Sequence, residues 1–379
     1  MDSSDTKVQL PEGDVPSLHN EQVAEQRPPI DYTSVSTFLG SSARRFKSLW
    51  TRRFTLSLLA GQLVSLCITC TNVSTTELVN RNWALPTTQS VFLYFTLFIV
   101  YTPYTMYKYG FTGWAKMVAR DGWKYMILAA CDVEGNFMVV KAYQFTDLLS
   151  CMLLDAWAIP VCMFFSYLYM KPKYHWTQIL GVLICCVGLG LLVGSDELTQ
   201  KDWVAAARGK GDAFMVAGAT LYGFTNATEE FFVRKRPLYE VVGQLGMFGF
   251  IICGVQAAGL EHAGMKTASW NGATIGLLIA YTAGKSPYPM FILYTVAPLL
   301  YRMASSAYYN LSLLSSDWYG LIFGLGLYHY SPYWLYFVAF ALVLVGLITY
   351  FWHSTPEEQG ELNPQAPAYL KREETETGV

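Results

Sequence analysis

The sequence predicts an all-α integral membrane protein whose ten transmembrane helices form two inverted repeats of five helices each. Three observations carry this prediction. The chain of 379 residues is 53% hydrophobic and 14% charged, whereas charged residues make up about 25% of a typical soluble domain. Many apolar segments reach the roughly 20 residues that a helix needs to cross about 30 Å of hydrocarbon. The fourth and fifth of these segments also resemble the ninth and tenth.

The apolar segments predict ten helices, and most of the joining loops are short, so that neighbouring helices run antiparallel. The polar ends, residues 1–48 and 354–379, are predicted to be disordered cytosolic tails around a transporter domain at 49–353. Its repeats cover about 54–194 and 211–352. The ten predicted spans are 54–74, 87–107, 123–144, 149–170, 177–194, 211–232, 240–260, 271–301, 304–328 and 332–352.

Lysine and arginine are distributed unequally between the two sets of loops. If the N-terminus is cytosolic, the opposite loops carry fewer basic residues than the cytosolic ones, as the positive-inside rule requires. Both termini are therefore predicted to be cytosolic, with endomembrane, vacuolar and plasma membranes as alternatives. The basic residues of the cytosolic loops are Lys108, Lys116, Arg120, Lys171, Lys173, Arg234, Lys235, Arg236 and Arg302, against Arg81, Lys201, Arg208, Lys210 and Lys266 opposite.

The internal repeat is visible in "LLDAWAIPVCMFFSYLYMKPKY" (153–174) and "LSSDWYGLIFGLGLYHYSPY" (314–333). Both stretches run from an aspartate to Leu-Tyr, and then to a proline and a tyrosine. Because each half has an odd number of helices, the two halves are inverted in the membrane. Inverted repeats around a site at the membrane midplane are typical of secondary transporters.

The third span contains "CDVEGNFMVVKAYQ" (131–144), with three charged residues in an apolar environment. Each ionised group at the bilayer centre costs about 2.5–3.5 kcal/mol on insertion scales. At 100° per residue, Glu134 and Lys141 lie on one face, and Asp132, Asn136 and Tyr143 on the opposite face. Protein or a water-filled space must therefore surround this helix. The charges form either an ion network that fixes the helix or a substrate or ion site.

Other polar residues near the spans allow more than one interpretation. Lys141 meets an anionic group of a substrate, pairs with Asp155, or extends outward to the membrane surface. Glu229 and Glu230 precede the basic run 234–236 and are expected to pair with it at the cytosolic edge. Asparagines within the spans, such as Asn226 and Asn310, are expected to form hydrogen bonds between helices, and tyrosines such as Tyr222, Tyr308 and Tyr309 are candidates for stacking on a planar substrate ring.

Asp155 and Asp317 occupy matching places in the two repeats. Each lies roughly 10 Å or more from its helix ends at 1.5 Å per residue, with no basic residue before it in its helix. One hypothesis is that at least one of them, Asp155 first, carries a coupling proton or gates the site. The alternative is a protonated aspartate that forms a hydrogen bond between helices.

The run around 123–146 resembles the signature of the solute carrier 35 family, F subgroup, of the drug/metabolite transporter superfamily. That signature contains Asp-Val-Glu-x-Asn and Val-Lys-Ala-Tyr-Gln, followed by Leu-Leu-Asp, Ile-Pro and, in the sixth span, a Leu-Tyr, Asn, Glu-Glu pattern. The resemblance covers about 44–352. The matching residues are Asp132, Val133, Glu134, Asn136, Lys141, Ala142, Tyr143, Gln144, Leu153, Leu154, Asp155, Ile159, Pro160, Leu221, Tyr222, Asn226, Glu229 and Glu230.

The resemblance departs from the family pattern at three places. Phe137 and Phe145 stand where the family often has tyrosine, and "DWY" (317–319) replaces the usual Asp-Leu-Tyr. The run "KSPYPM" (285–290) in the eighth span has no counterpart and is either a helix break or a local insertion. The first two departures bear on the substrate, and the third on the eighth helix.

The resemblance implies a carrier that works by alternating access on a small organic solute of nucleoside, nucleobase or nucleotide-sugar type. The alternatives are an intramembrane enzyme, for which "GKGD" (209–212) is the only motif, and a scaffold or receptor that does not transport. No cofactor or metal is predicted, and a net charge of −2 implies no nucleic-acid partner. The partners are a small-molecule substrate and the lipid bilayer, and glycine-rich helix faces leave a homodimer open.

These observations give ten candidate residues for binding a substrate or ion. They share a polar or charged side chain inside a predicted span or at its end. The candidates are Asp132, Glu134, Asn136, Lys141, Tyr143, Gln144, Asp155, Tyr222, Asn226 and Asp317.

Tags at both termini are expected to be accessible only from the cytosol, because the loop charges orient an even number of spans. Protease protection of tagged protein in sealed membranes measures this. A tag at Val379 found on the opposite side would show that a span is miscounted, and 271–301 would be the first segment to re-examine.

Overall fold

In a computed structural model, helices α1 to α15 make up nearly all of the described chain. The structure describes residues 31–48, 52–146, 148–170, 174–199, 208–282, 289–327, 329 and 333–350. The helices are α1 Val35–Ser48, α2 Arg52–Asn80, α3 Pro86–Tyr109, α4 Phe111–Ala142, α5 Leu148–Asp155, α6 Ala158–Met170, α7 Trp176–Thr199, α8 Arg208–Lys235, α9 Leu238–Leu260, α10 His262–Thr267, α11 Gly272–Thr282, α12 Pro289–Met303, α13 Ser306–Leu313, α14 Ser315–Gly326 and α15 Trp334–Tyr350.

Each of the ten predicted spans overlaps one or two of these helices. By length and composition, three described stretches are apolar enough to cross a membrane: Thr55–Asn80, Leu148–Met170 and Leu238–Leu260. The others are interrupted, are shorter or carry charge, as α4 does with Asp132, Glu134 and Lys141. The ten-helix count therefore stays a prediction.

The fourth predicted span is not one continuous helix, because α5 ends at Asp155 and α6 begins at Ala158. Pro160 explains the break: it has no N–H, and its ring would clash with the carbonyl four residues earlier, at Ala156. The backbone tightens into short-range bonds, in which Ala156 N donates to Leu153 O (3.2 Å) and Trp157 N to Leu154 O (3.0 Å). The break places Asp155 at the end of a helix.

The ninth predicted span is broken in a similar way, between α13 and α14 at Leu314. No proline lies here. Instead, hydroxyl groups of α2 donate hydrogen bonds to backbone carbonyls near the break. Ser65 Oγ donates to Ser312 O, and Thr69 Oγ1 donates to Ser316 O at 3.4 Å. Such side-chain donors satisfy backbone groups that a helix break leaves open in a membrane.

Two pairs of helices approach very closely through glycine. α7 packs on α15, and a Cβ on Gly181 would lie 2.5 Å from Gly346 O. α3 packs on α9, and a Cβ on Gly249 would lie 2.4 Å from the Tyr94 ring. Glycine permits backbones to approach without a hydrophobic driving force, as is typical of membrane helices. Two further glycines, Gly320 and Gly324 of α14, lie against Met152 and Leu149 of α5.

Helices α2 and α8 hold the two sides of the molecule together. α8 packs against α4 and α6, and α2 packs against α11, α12, α13 and α14. Glycines again set the distance, because a Cβ on Gly218 would lie 2.7 Å from Val139 and one on Gly223 would lie 2.7 Å from Val161. The α8 side chains that follow these glycines therefore point into the centre of the bundle.

Helix α1 lies within residues 1–48, which the sequence predicts to be disordered, so that prediction is wrong for residues 35–48. The physical reason is a local helix-start signal: Ser34 N donates to Thr37 Oγ1 (3.0 Å), and Thr33 N donates to Asp31 Oδ1 (3.0 Å). A hydroxyl three residues inside a helix that reaches back to the first N–H is a known capping arrangement. Residues 1–30 and the predicted tail 354–379 lie outside the described residues, as do 283–288 of the eighth predicted span.

We expect Gly246→Ala to destabilise the fold and Gly254→Ala to leave it unchanged or slightly more stable. Both glycines lie in α9, but a Cβ on Gly246 would lie 2.7 Å from Leu97 Cβ and from Phe98 N, whereas Gly254 has nothing within 4 Å. Overpacking a closely packed site costs about 1–3 kcal/mol. Thermal unfolding of the two variants in detergent measures the difference, and equal melting temperatures would show that α3 and α9 are not packed this closely.

Candidate functional site

Asp132 is the centre of a buried hydrogen-bond cluster that joins three helices. Its carboxylate, with 5% of the residue exposed, lies on α4 and accepts two phenol hydrogen bonds. Tyr94 Oη on α3 donates to Oδ2 at 2.7 Å, and Tyr294 Oη on α12 donates to the same oxygen at 2.9 Å. Two hydrogen bonds to one oxygen stabilise a buried acid far from water.

Asn136 lies one turn further along α4 and extends the cluster to α8. Its Nδ2 donates toward Tyr94 Oη (2.8 Å) and Tyr294 Oη (3.0 Å), and its Oδ1 accepts from Tyr222 Oη at 3.0 Å. Gly135 makes this contact feasible, because a Cβ there would lie 3.1 Å from the Tyr222 ring. The predicted face of Asp132 and Asn136 is therefore turned toward protein, and both residues hold neighbouring helices in place.

Beside this cluster lies a cavity bounded by α2, α4, α5, α6, α8, α12 and α13. Its polar lining consists of carboxylates, carboxamides and phenols, and its other lining residues are apolar. The cavity volume that the centre of a water molecule can reach is about 50 Å³. This volume holds a few waters and is too small for a nucleoside. The lining residues are Ile68, Asp132, Asp155, Ala158, Tyr222, Asn226, Glu229, Met290, Leu293, Tyr294, Ala297, Tyr301, Tyr309, Asn310 and Leu313.

A second polar chain crosses the cavity wall. Asn226 Nδ2 on α8 donates to Asn310 Oδ1 on α13 at 3.0 Å, and Tyr301 Oη on α12 donates to Asn226 Oδ1 at 3.1 Å. The expected hydrogen bonding of Asn226 and Asn310 between helices is thus confirmed. The Tyr301 and Tyr309 rings meet edge to face with centroids 5.2 Å apart. The wall therefore presents amide and aromatic groups side by side.

Two cavity carboxylates have an oxygen with no hydrogen-bond partner among the described residues. They are Asp155 Oδ1, at the end of α5, and Glu229 Oε1, on α8. Glu229 is 6% exposed, and Asp155 is partly exposed. Unpartnered buried oxygens are costly unless something fills the space beside them, so these two atoms mark the part of the cavity with unused binding capacity.

The two adjacent glutamates of α8 have different surroundings, which corrects the expectation that both pair with the basic run 234–236. Glu230 does so: Arg234 Nη2 lies 2.7 Å from Glu230 Oε1, and both side chains are buried. Glu230 Oε2 also accepts from Ser306 N (3.0 Å) and from Ser306 Oγ. Glu229 points into the cavity instead, because adjacent residues on a helix are rotated by about 100°.

One acid outside the predicted spans, Asp121, is paired with several cations. Asp121, before the third predicted span, lies 2.9 Å from Lys124 Nζ and 2.8 Å from Arg236 Nη2. The hydrogen bond from Lys124 is the main cause that lowers the Asp121 pKa to about 2, and Arg120 and Arg236 act in the same direction. The basic residues at this end are thus used in ion pairs at the edge of the bundle.

Several predicted site residues do not line the cavity. Glu134 accepts a hydrogen bond from Gln256 Nε2 on α9, and Lys141 is half-buried with no ion pair to Glu134 or Asp155. Of the three alternatives for Lys141, the pair with Asp155 is not formed among the described residues, because Asp155 lines the cavity and Lys141 does not. Tyr143 Oη and Gln144 Nε2 are buried near the end of α4 without hydrogen-bond partners among the described residues.

Asp317 also lies outside the cavity, but it is buried and close enough to Asp155 for the two charges to interact. Its Oδ2 has no hydrogen-bond partner in the described part of the chain. Helices α5 and α14 pack together here, and a Cβ on Gly320 would lie 2.2 Å from Met152 Sδ. The structure thus brings together the two aspartates that occupy matching places in the sequence.

The sequence analysis did not identify several residues that line the cavity. Among them are Tyr294, which donates to Asp132 together with Tyr94, and also Tyr301 and Met290. Tyr294 and Tyr301 are seven residues apart and so lie on one face of α12. That spacing, together with the prolines Pro289 and Pro298 in the same helix, was the available signal.

Comparison with known proteins gives a consistent result. The model of solute carrier family 35 (SLC35F) matches residues 50–352. Solute carrier family 35 member C320.08 of Schizosaccharomyces pombe is 43% identical over 79% of the chain, which spans 58% of that relative's length. Solute carrier family 35 member F2 of Mus musculus is 34% identical over 84% of both chains, and that of Xenopus tropicalis is 32% identical over 81% of this chain and 79% of its own.

A solved crystal structure shares the fold. It covers 79% of this chain and 97% of its own chain, with a TM-score of 0.54 and 16% sequence identity. At this identity the likeness concerns the arrangement of helices alone.

We expect Asn136→Ala to lower the stability of the folded protein by about 1–3 kcal/mol, because Tyr222 Oη would lose its acceptor inside the bundle. Asn72→Ala is the matched control, since Asn72 is half-buried on α2 and its side chain has no hydrogen bond to a described residue. Thermal unfolding in detergent compares the two. Equal losses would mean that the cluster around Asp132 adds no stability.

Proposed function

The chain belongs to solute carrier family 35, and from that premise we propose that it is a secondary transporter that moves a small organic solute across a membrane by alternating access. The solute class that we propose is nucleoside-, nucleobase- or nucleotide-sugar-like. The observation that carries the proposal is the small polar cavity in which two carboxylates have an oxygen without a partner in the described part of the chain; helices from both halves of the chain line it. The homologues are solute carriers, which indicates a transporter rather than an enzyme.

The pattern of helix contacts supports two inverted repeats as the architecture behind this function. The second span (α3) packs on the seventh (α9), and the fifth (α7) packs on the tenth (α15). The third and fourth spans pack on α8, the first helix of the second half, just as the eighth and ninth spans pack on α2, the first helix of the first half. Exchanging the halves preserves this pattern, as a two-fold relation in the membrane requires.

The matching breaks in the fourth and ninth spans support the same architecture. Each span consists of two short helices, and each carries one aspartate next to its break: Asp155 at the end of α5 and Asp317 in the first turn of α14. Discontinuous helices near the midplane are where carriers bind substrates and coupling ions. We propose ten spans from residue 49 to 353, with both termini in the cytosol.

The size of the cavity supports alternating access. The described conformation leaves room for a few waters only, so a nucleoside-sized solute requires the walls to move apart. The aromatic and amide groups of Tyr222, Tyr301, Asn226 and Asn310 suit a planar ring with hydrogen-bonding edges. Asp155 and Asp317 are the candidates for a coupling proton or a gate, because they are close together in the protein interior.

We expect purified protein in proteoliposomes to show counterflow, in which unlabelled solute inside the vesicles accelerates the entry of labelled solute. The panel contains labelled nucleosides, nucleobases and nucleotide-sugars. A carrier gives counterflow with at least one of them, whereas a scaffold or protease gives none with any. Empty liposomes and heat-denatured protein are the controls.

We further expect Asp155→Asn, and to a lesser degree Asp317→Asn, to reduce transport and its dependence on pH. The amide keeps hydrogen bonding but cannot exchange a proton. Glu77→Gln is the control, because Glu77 is a partly exposed surface residue paired with Arg81 at 2.8 Å. Normal transport with unchanged pH dependence in both aspartate variants would disprove the coupling role.

A further inference from the structure

The cavity is acidic and contains no counter-charge. Three carboxylates line it, Asp132, Asp155 and Glu229, whereas none of the described lining residues is lysine, arginine or histidine. Asp132 is stabilised by two phenols, but Asp155 and Glu229 each have an unpartnered oxygen. Glu229 is more than nine-tenths buried and lines the cavity.

The basic residues nearest in sequence are occupied elsewhere. Arg234 binds Glu230 and donates to Ala304 O at 3.1 Å, and Arg236 binds Asp121. Lys235 Nζ lies 3.7 Å from the centre of the Phe231 ring. Neither basic residue of the third predicted span, Lys124 or Lys141, lines the cavity. No described side chain is therefore placed to balance the cavity carboxylates.

A carboxylate in a low-dielectric interior requires a balancing positive charge, either a bound proton or a cation. A solute with a phosphate group would bring further negative charge into the same space, whereas a solute with a protonated amine would supply the missing counter-charge. We infer that the cavity takes a solute that bears a positive charge, with Glu229 as its principal counter-charge, and that it excludes phosphorylated solutes. This inference rests on the proposed transport function and narrows its substrate class to the members without phosphate.

Glu229 thereby acts as a specificity-determining residue. The aliphatic lining has no preference for charge, the tyrosine rings favour a cation only weakly, and Asp132 already accepts two hydrogen bonds. Glu229 lies on α8 within one turn of Asn226, so that a ring held at Asn226 and a cationic group at Glu229 belong to one solute of nucleoside size.

The charge preference can be measured without knowing the substrate. Leu293→Cys places a thiol on the apolar wall of the cavity, and none of the eight native cysteines lines it. The thiol is reacted with trimethylammonium-ethyl methanethiosulfonate and with sulfonato-ethyl methanethiosulfonate, and each rate is divided by its rate with free β-mercaptoethanol. Protein without Leu293→Cys gives the background from native cysteines.

The normalised rate is expected to be at least about tenfold higher for the cationic reagent, because a cleft lined by one sign of charge concentrates the opposite ion by this much or more. Glu229→Gln should reduce that ratio severalfold, Glu229→Asp should retain most of it, and Glu77→Gln should leave it unchanged. Equal normalised rates would mean that protons already neutralise the carboxylates, and a faster anionic reagent would mean a basic cavity. Either result overturns the inference.

The solute class is tested in the counterflow assay with three competitors that share one ring system: 5′-amino-5′-deoxyadenosine, adenosine and adenosine monophosphate. The amine is expected to compete best and the phosphate worst, and Glu229→Gln should weaken the amine about tenfold more than adenosine. A phosphate that competes best overturns the inference while transport itself stands. A complete absence of counterflow counts against the transport function, and the reagent ratio still reports the charge of the cavity.

Discussion

Hydrocarbon provides no hydrogen bonds, so every polar group within the bundle must find its partner in the protein. The cluster around Asp132 meets this requirement most completely. One carboxylate and one carboxamide on α4 bind phenols from three other helices, Tyr94, Tyr294 and Tyr222. These bonds replace hydrogen bonds to water. They also join α4 to three neighbouring helices, and so fix the rotation of α4 about its axis and which of its charged residues face the cavity.

The same requirement governs the broken spans. Pro160 stops α5, and the short-range bonds at Ala156 and Trp157 take up the freed backbone groups. In the second half, hydroxyls of α2 approach carbonyls of Ser312 and Ser316. Breaks in a membrane helix are thus tolerated where a neighbouring helix carries small hydroxyl residues. The cavity lies beside both breaks, and its carboxylates Asp155 and Glu229 are among the buried groups that have no such partner in the described part of the chain.

Local sequence was sufficient for part of this picture. The apolar segments predicted where helices occur, and the spacing of Asp132 and Asn136 predicted their shared face. Asp155 and Asp317, which occupy matching places in the sequence, lie close enough for their charges to interact. The partners of Asp132 could not be predicted, because Tyr94 and Tyr294 are 38 and 162 residues away in the chain. The sequence predicted that Glu229 and Glu230 both pair with the basic run 234–236, because both lie about one turn before it. Only the orientation of α8 decides that Glu230 pairs with Arg234 and that Glu229 lines the cavity.

The break in the fourth span could be predicted from Pro160. The break at Leu314 has no proline nearby and depends on contacts with α2. Helix α1 shows the reverse error: a polar segment was assigned to disorder although Ser34 and Thr37 carry a capping signal. Composition describes an average over a window, and a short capped helix disappears in that average.

The contact between Gly249 and Tyr94 has a mechanical consequence. α9 contributes no described residue to the cavity lining, yet its backbone at Gly249 lies so close to the Tyr94 ring that no Cβ would fit between them. The Tyr94 hydroxyl in turn donates to Asp132. A helix that does not line the cavity is therefore linked to a cavity carboxylate through one phenol, and a sideways shift of α9 toward α3 would displace that phenol.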